Sequence, residues 1–501
     1  MPQNPSHQQQ EGDRRKLSTF DITNLVVGSI IGADIYIVTA IGSRLVGPAS
    51  LIVWLVAGLM ALIIALSFSY CVMIDPKVGG PYAYTKEVAG PFAGFMIGWA
   101  LLLAELFSLS VFPVAFAQYF SALVPGIDAI GQALLKGVFI SIVIITNIVG
   151  TKVAGKANDA LTIIKLSPLV LVILGGLAFI IFYPGAAVSH FEPFFIDGVG
   201  GAGQALILIF WAYAGFELST LPTEDVEEPT RTVPRSIVIG MLIVAGFYLL
   251  TNFAVMASLD QTILRTSSSP LIDSATAIFS PQGGAIGVVA LFVGVGALLS
   301  ILGADESGTL STSRLAYAMS LDGFLPHALS RKHGRFNTPY LAILALGLTA
   351  FIISLLGGLT VLISSAVLLL AIVYLATCLS AIVLLRRNPQ KTAGLRGRRL
   401  IPLTGAMLSI MLILLVRTDV AVMGMALLAV GVPVYIFFSP QRELTELKEV
   451  FLSREERIKW ERRQSERFLA YPLHHLNNAL KARRRALNAA RLNGQEKKDK
   501  Y

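Results

Sequence analysis

Gly28-Ser29-Ile30-Ile31-Gly32-Ala33-Asp34-Ile35-Tyr36 lies inside the first long apolar run of the chain and breaks two rules of a membrane helix at once. Two glycines four apart weaken the helix, because glycine loses the most backbone freedom on being ordered. Two residues after the second glycine comes a carboxylate, in a setting where a buried charge costs roughly 3 kcal/mol or more. A chain that keeps both features in one place has a use for them. The rest of the sequence reads as scaffold and partners for this segment.

The 501-residue chain is 54% hydrophobic and only 14% charged, against about 25% charged residues in an ordinary soluble domain. That composition points to an all-α polytopic membrane protein. The net charge of +9 does not signal nucleic acid, because the basic residues cluster between and after the apolar runs. Cys71 and Cys378 both fall within apolar segments and are expected to be free thiols. Residues Met1 to Lys16 are polar, with no apolar core for a cleavable signal, so insertion is expected to begin from the first membrane helix.

A span of about 30 Å needs roughly 20 residues at about 1.5 Å each. Twelve apolar runs qualify, near 20–43, 49–73, 92–123, 133–151, 158–183, 201–222, 236–259, 284–312, 338–356, 358–385, 400–416 and 420–438. The last two are short, with only Arg417-Thr418-Asp419 between them. The expected organisation is an N-terminal tail (1–19), a membrane domain (20–438) and a basic tail (439–501). With the N-terminus inside, nineteen Lys and Arg residues fall on the cytoplasmic side of the membrane domain and four (Arg44, Lys136, Arg265, Arg417) outside. This asymmetry places both termini in the cytoplasm, across a plasma (inner) membrane. The tail after Ser439 reads as helix, with Leu473, Leu476, Leu480 and Leu487 beside Lys481-Ala-Arg-Arg-Arg485. It suits either a solvated cytoplasmic helix, open to a cytoplasmic partner, or an interfacial helix on anionic lipid.

Ionisable residues inside apolar runs must face a cavity or a partner. Asp34 lies ten residues from Arg44, hence about 15 Å deep. Glu217, Asp305 and Glu306 sit at similar depth, Glu105 somewhat further toward the outside, and Lys165 is the one cation in the set. Five carboxylates against one ammonium cannot all stay charged and bare in low dielectric. Some are protonated, some pair with Lys165, or some await a cationic ligand. A structural Lys165–Asp34 ion pair is one such arrangement.

Phe210-Trp211-Ala-Tyr213-Ala-Gly215-Phe216-Glu217 is a second aromatic, glycine-interrupted stretch with an embedded acid. Interrupted helices at matching positions of two repeats point to a transporter site, since free N–H groups attract anions and free carbonyls attract cations. Here the chain resembles the amino acid–polyamine–organocation superfamily of permeases. The resemblance covers the first ten runs and rests on four motifs in order. They are Gly-Ser-Ile-Ile-Gly at 28–32; Gly79-Gly80-Pro81-Tyr82-Ala-Tyr84 with Gly94-Phe95 and Gly98-Trp99; Trp211 to Glu217 with Glu224-Asp-Val-Glu227-Glu228-Pro229; and Ser313-Arg314-Leu-Ala-Tyr317-Ala-Met319 with Asp322-Gly323-Phe-Leu-Pro326.

The resemblance implies twelve helices: a five-plus-five inverted repeat with helices 1 and 6 broken, and two additional C-terminal helices. The halves would run from about 20 to 183 and from about 201 to 385, with the extra helices at about 400 to 438. It implies alternating access to a site for an amino acid or amine between the broken helices, with Gly28, Ser29, Gly32, Ala33, Asp34, Glu105, Trp211, Tyr213, Gly215 and Glu306 as binding candidates. Trp211 is similar to the family aromatic that packs on the substrate. Glu217 is similar to a coupling acid, and Lys165 to the helix-5 lysine whose ammonium stands where relatives hold sodium. Asp34 and Asp305 join them as coupling candidates. A proton is then the expected coupling ion, with no other cofactor and no metal.

Two departures stand out. Family members commonly carry a small residue at the position of Asp34 and a neutral polar one at that of Glu306. A carboxylate at Asp34 would repel the α-carboxylate of an amino acid, by roughly 4 kcal/mol for unit charges about 4 Å apart at an effective dielectric of 20. Either Asp34 is protonated or neutralised by Lys165, or the cargo is cationic and lacks a carboxylate there. Polyamines, other amines and cationic amino acids are therefore favoured. An intramembrane enzyme is not expected: the chain has no His-Glu-x-x-His or Gly-x-Ser-x-Gly, and its histidines lie in loops and tails. An inorganic cation symporter on the same fold and a non-transporting nutrient sensor are the alternatives. Trp211 and Tyr213 argue against a bare ion, which needs oxygen ligands rather than an apolar wall.

Overall fold

The computed structural model describes residues 18–75, 79–150, 155–196, 198, 200–217, 226–279, 287–390 and 397–439. The N-terminal tail, the Glu224-Asp225 portion of the acidic motif and the basic tail lie outside the described residues. The chain divides into two units, Met1–Ser439 and Pro440–Tyr501, and everything below concerns the first.

Among the described residues the architecture is helical throughout. The first apolar run forms two helices, α1 (Thr19–Ile30) and α2 (Ala33–Val46), and a short 3-10 turn leads into α3 (Ser50–Ile74). There follow α4 (Pro81–Ala89), α5 (Pro91–Leu123), α6 (Ala129–Val149), α7 (Gly155–Phe182), α8 (Pro184–Ser189) and α9 (Ala202–Trp211). Then come α10 (Pro229–Ser258), α11 (Gln261–Thr266), α12 (Pro270–Phe279) and α13 (Val288–Leu321). The last four are α14 (Tyr340–Leu356), α15 (Leu359–Arg387), α16 (Leu400–Leu415) and α17 (Thr418–Phe438).

Every apolar run read from the sequence carries helix, and among the described residues eight helical stretches are long and apolar enough to cross a bilayer by themselves. The shorter apolar helices include α1 and α9, each about half a membrane thick, because each stops at a glycine-bearing interruption. The short helices α4, α8, α11 and α12 lie between those runs. α12 buries Leu271, Ile272 and Ala275 and so belongs to the packed interior.

Local sequence sets the helix starts. Ser18 and Asp21 form a reciprocal capping box at α1, and Asp128 accepts from the Gly131 amide to start α6. Pro81 and Pro91 occupy the first positions of α4 and α5, where a missing N–H costs nothing. The centre and the periphery separate by burial. In the most apolar stretch of α5, 78% of residues are buried, against 17% in α6, so α5 lies at the core while α6 presents apolar side chains outward. α5 packs on α13 and α15, and α10 packs on α1, α3 and α7. This arrangement surrounds the α1–α2 junction with α10 and α13.

One polar contact ties α4 to the end of α13. The Tyr82 hydroxyl donates to Asp322, and Lys86 Nζ lies 2.9 Å from the same carboxylate and over the Phe324 ring. Lys86 and Asp322 are about one-third exposed. Lys86→Ala is therefore expected to change stability by only about 0–1 kcal/mol. Thermal unfolding of the purified variant checks this, and a large loss would mean the contact is a keystone rather than a surface pair.

Candidate functional site

The first interruption is two residues wide, Ile31 and Gly32. A helix beginning there leaves its first amides without intrahelical partners. Asp34 answers them from its own side chain. The Gly32 amide donates to Oδ1 at 2.6 Å, and the amides of Asp34 and Ile35 also act on the carboxylate. The Tyr248 hydroxyl of α10 donates to Oδ2. Tyr248 is positioned by edge-on packing against Trp54 and Tyr213, with ring centroids 5.3 Å away in both cases. The buried carboxylate is thus fully engaged.

The second interruption follows α9. The chain turns through Ala212 to Gly215, and Gly215 has a φ of +118°. A side chain there would put its Cβ 3.0 Å from the Ser29 carbonyl oxygen. Glycine therefore lets the two interruptions meet, and the Ser29 hydroxyl lies 3.4 Å from the Gly215 carbonyl. Glu217 folds back as Asp34 does. Its carboxylate accepts the Gly215 amide, with both oxygens at 3.0 Å, and the Tyr374 hydroxyl of α15 at 3.0 Å. Each interruption thus has the same local device: a glycine, an acid two residues later that takes the glycine's N–H, and a tyrosine hydroxyl from another helix.

Between them lies a small cavity of about 30 Å³, room for one or two water molecules. Ser29, Asp34, Glu105, Trp211, Gly215 and Glu217 line it, together with Ser108, Leu109 and Phe112 of α5, Ala304 and Gly308 of α13, and Leu370 of α15. The Trp211 indole N–H donates to Ser108 Oγ at 2.9 Å, and the ring meets Phe112 edge-on at 6.1 Å. One wall is therefore aromatic and the floor acidic. Glu105, buried on α5, acts electrostatically on Glu217 across the cavity. Among the described residues no hydrogen-bond donor reaches the Glu105 carboxylate, and no base lines the cavity.

The remaining sequence candidates sit behind this lining. Tyr213 donates to the Trp54 carbonyl at 2.9 Å and packs away from the cavity. Gly32 lies against Ala304, where a Cβ would come within 2.5 Å of the alanine side chain, and Ala33 is the buried first residue of α2. Lys165 is buried and donates to the Gly28 carbonyl at 3.4 Å. Its stem crosses α13 at Gly303, where a Cβ would sit 2.5 Å from Cε. The acid that acts on it is Glu306, one turn along α13. Lys165 therefore does not neutralise Asp34: the α2 amides and Tyr248 hold that carboxylate, while the ammonium emerges on the Gly28 and Gly303 side. Asp305 is fully buried, both oxygens without a partner among the described residues, and it does not line the cavity. Glu105, read as lying further out, shares the cavity with Asp34 and Glu217.

Sequence reasoning missed Ser108, Phe112, Tyr248 and Tyr374. A tyrosine in mid-run was a usable signal for the last two, because a buried phenol needs a hydrogen-bond partner. Nothing in the local sequence distinguishes Ser108 from the other serines of the apolar runs.

The amino acid permease family model matches residues 17–443. The chain is 26% identical over 448 residues to the branched-chain amino acid permease of Bacillus subtilis, covering 85% of this chain and 93% of that one. It is 27% identical to the methylthioribose transporter of the same organism, over 76% and 84% of the two chains. It is 31% identical to the cystine/glutamate transporter of Homo sapiens, over 68% of each. With its apolar helices and this match over most of its length, the chain is a multi-pass integral membrane protein that belongs to the amino acid permease family, whose members are transporters and not enzymes.

Proposed function

We propose that this permease is a proton-coupled secondary transporter of cationic amino acids or related organic amines, polyamines included, working by alternating access. The carrying observation is Glu105: a buried carboxylate that borders the cavity beside the aromatic side chains of Trp211 and Phe112, with no donor to it among the described residues. A buried carboxylate without a partner is costly, and an ammonium group relieves that cost. An aromatic face adds attraction for the same cation. The apolar wall favours an organic ammonium over a bare inorganic ion.

On this reading the chain makes twelve crossings, in two inverted five-helix halves followed by two more, and the interruptions at residues 31–32 and 212–215 fall in the first helix of each half. Lys165, held between Gly28 and Gly303 with Glu306 nearby, serves as the coupling group, and Glu217 and Asp305 as acids of the same relay. The Lys/Arg asymmetry supports cytoplasmic termini, the membrane assigned on this reading is the plasma (inner) membrane, and the basic tail suits anionic lipid or a cytoplasmic partner. Two of the relatives are named for amino-acid cargo and one for methylthioribose, so the fold carries more than one cargo chemistry.

The test is a thermal-shift screen of the full-length protein with arginine, agmatine, putrescine, leucine and glutamate. A ligand that binds only the folded state raises stability by RT ln(1 + [L]/Kd). Cationic compounds are expected to stabilise it, and Glu105→Gln to weaken them by about tenfold, equivalent to about 1.4 kcal/mol. Stabilisation by leucine or glutamate alone would reject the reading. Uptake into vesicles that followed an imposed sodium gradient, and not a proton gradient, would reject proton coupling.

A further inference from the structure

The start of a helix is an anion-attracting end, because its unpaired amides and the helix dipole both favour negative charge. In this chain that end, at the start of α2, faces the cavity already filled. The Asp34 carboxylate takes the Gly32 amide at 2.6 Å, engages the amides of residues 34 and 35, and accepts the Tyr248 hydroxyl. We infer that Asp34 is a built-in surrogate for a substrate carboxylate, so that the cargo accepted here is an organic ammonium with no carboxylate on its amine-bearing carbon. This rests on the reading that the cavity takes an ammonium group.

Two further features carry the same conclusion. Glu217 caps the other interruption in the same way, with the Gly215 amide and the Tyr374 hydroxyl. The Gly32 and Gly215 amides at the two interruptions are therefore each satisfied from within the chain. Asp34, Glu105 and Glu217 all line the space, and among the described residues no Lys, Arg or His lines it to receive an incoming carboxylate. Protonated or not, the Asp34 oxygens occupy the donors that an amino acid's carboxylate would need. The nearest unused capacity is Glu105, which attracts the other end of the molecule.

Matched pairs that differ only by the carboxylate test this directly: agmatine against arginine, and 3-methylbutylamine against leucine. Binding is measured on the purified full-length protein by tryptophan fluorescence or calorimetry. The wild-type protein is expected to favour agmatine over arginine by about tenfold or more, about 1.4 kcal/mol. The second pair, where it binds, is expected to show the same preference. Asp34→Gly, which frees the amides and the Tyr248 hydroxyl, is expected to erase or invert the preference. Asp34→Ala removes the same oxygens while keeping helix propensity, and serves if the glycine variant does not fold. Wild-type protein that binds arginine as tightly as agmatine overturns the inference. So does a preference that persists unchanged in both variants. If leucine binds and neither agmatine nor arginine does, the underlying cation reading fails instead, so the two failures are distinguishable.

Discussion

Replacing Lys165 with methionine is expected to abolish transport and to lower the stability of the purified protein. Adding Glu306→Gln should restore much of the stability and none of the transport. Lys165 is buried, donates to the Gly28 carbonyl, and has Glu306 as the acid acting on it. Methionine keeps the length of the stem that packs across Gly303, so little packing is lost. What is lost is the positive charge. Glu306 then stands in a partly buried place without its counter-charge, at a cost of roughly 1–3 kcal/mol. Neutralising Glu306 removes that cost. Transport stays lost because the proposed coupling group is gone. Thermal unfolding and proton-driven uptake, measured on the two single variants and the double, separate the two effects. Equal stability of Lys165→Met and wild type would show that the electrostatic link is negligible. Retained proton-driven uptake in Lys165→Met would remove Lys165 from the coupling role.

Gly215→Ala is expected to reduce transport by more than tenfold while leaving helix content intact. Gly215 has a φ of +118°, a region that alanine enters only at a cost of roughly 1–3 kcal/mol. The added Cβ would also stand 3.0 Å from the Ser29 carbonyl oxygen and 3.3 Å from Ile30 Cγ1. The chain must then move the two interruptions apart, which withdraws the Gly215 amide from Glu217 and displaces Trp211 from Ser108. Because α9 ends before this turn, the helices themselves persist. Circular dichroism together with uptake in vesicles checks the prediction. Wild-type uptake by the variant would mean that the contact between the interruptions is dispensable.

The helical architecture and the two interruptions were legible in the sequence for a simple reason. Apolar runs of about 20 residues with embedded acids and glycines have few physical solutions in a bilayer. Gly28 to Asp34 and Trp211 to Glu217 announced themselves because glycine and carboxylate are both costly there. The pairing of the acids was not legible. Spacing alone allows a Lys165–Asp34 pair and does not single out Glu306, since Asp34 and Glu306 lie at similar depth. Glu105 illustrates the same limit: its depth could be counted along α5, but not which acids it faces.

A polytopic helical protein, the places where its helices break and the short set of ionisable groups inside it can all be read along the chain. These follow from one-dimensional costs: hydropathy, run length and the energy of a charge away from water. Packing between helices settled that Asp34 and Glu217 each cap their own interruption with help from Tyr248 and Tyr374, that Lys165 lies toward Glu306, and that Glu105 borders the cavity without a partner among the described residues. Those outcomes depend on hydrogen-bond geometry between helices far apart in the chain, which local periodicity does not encode.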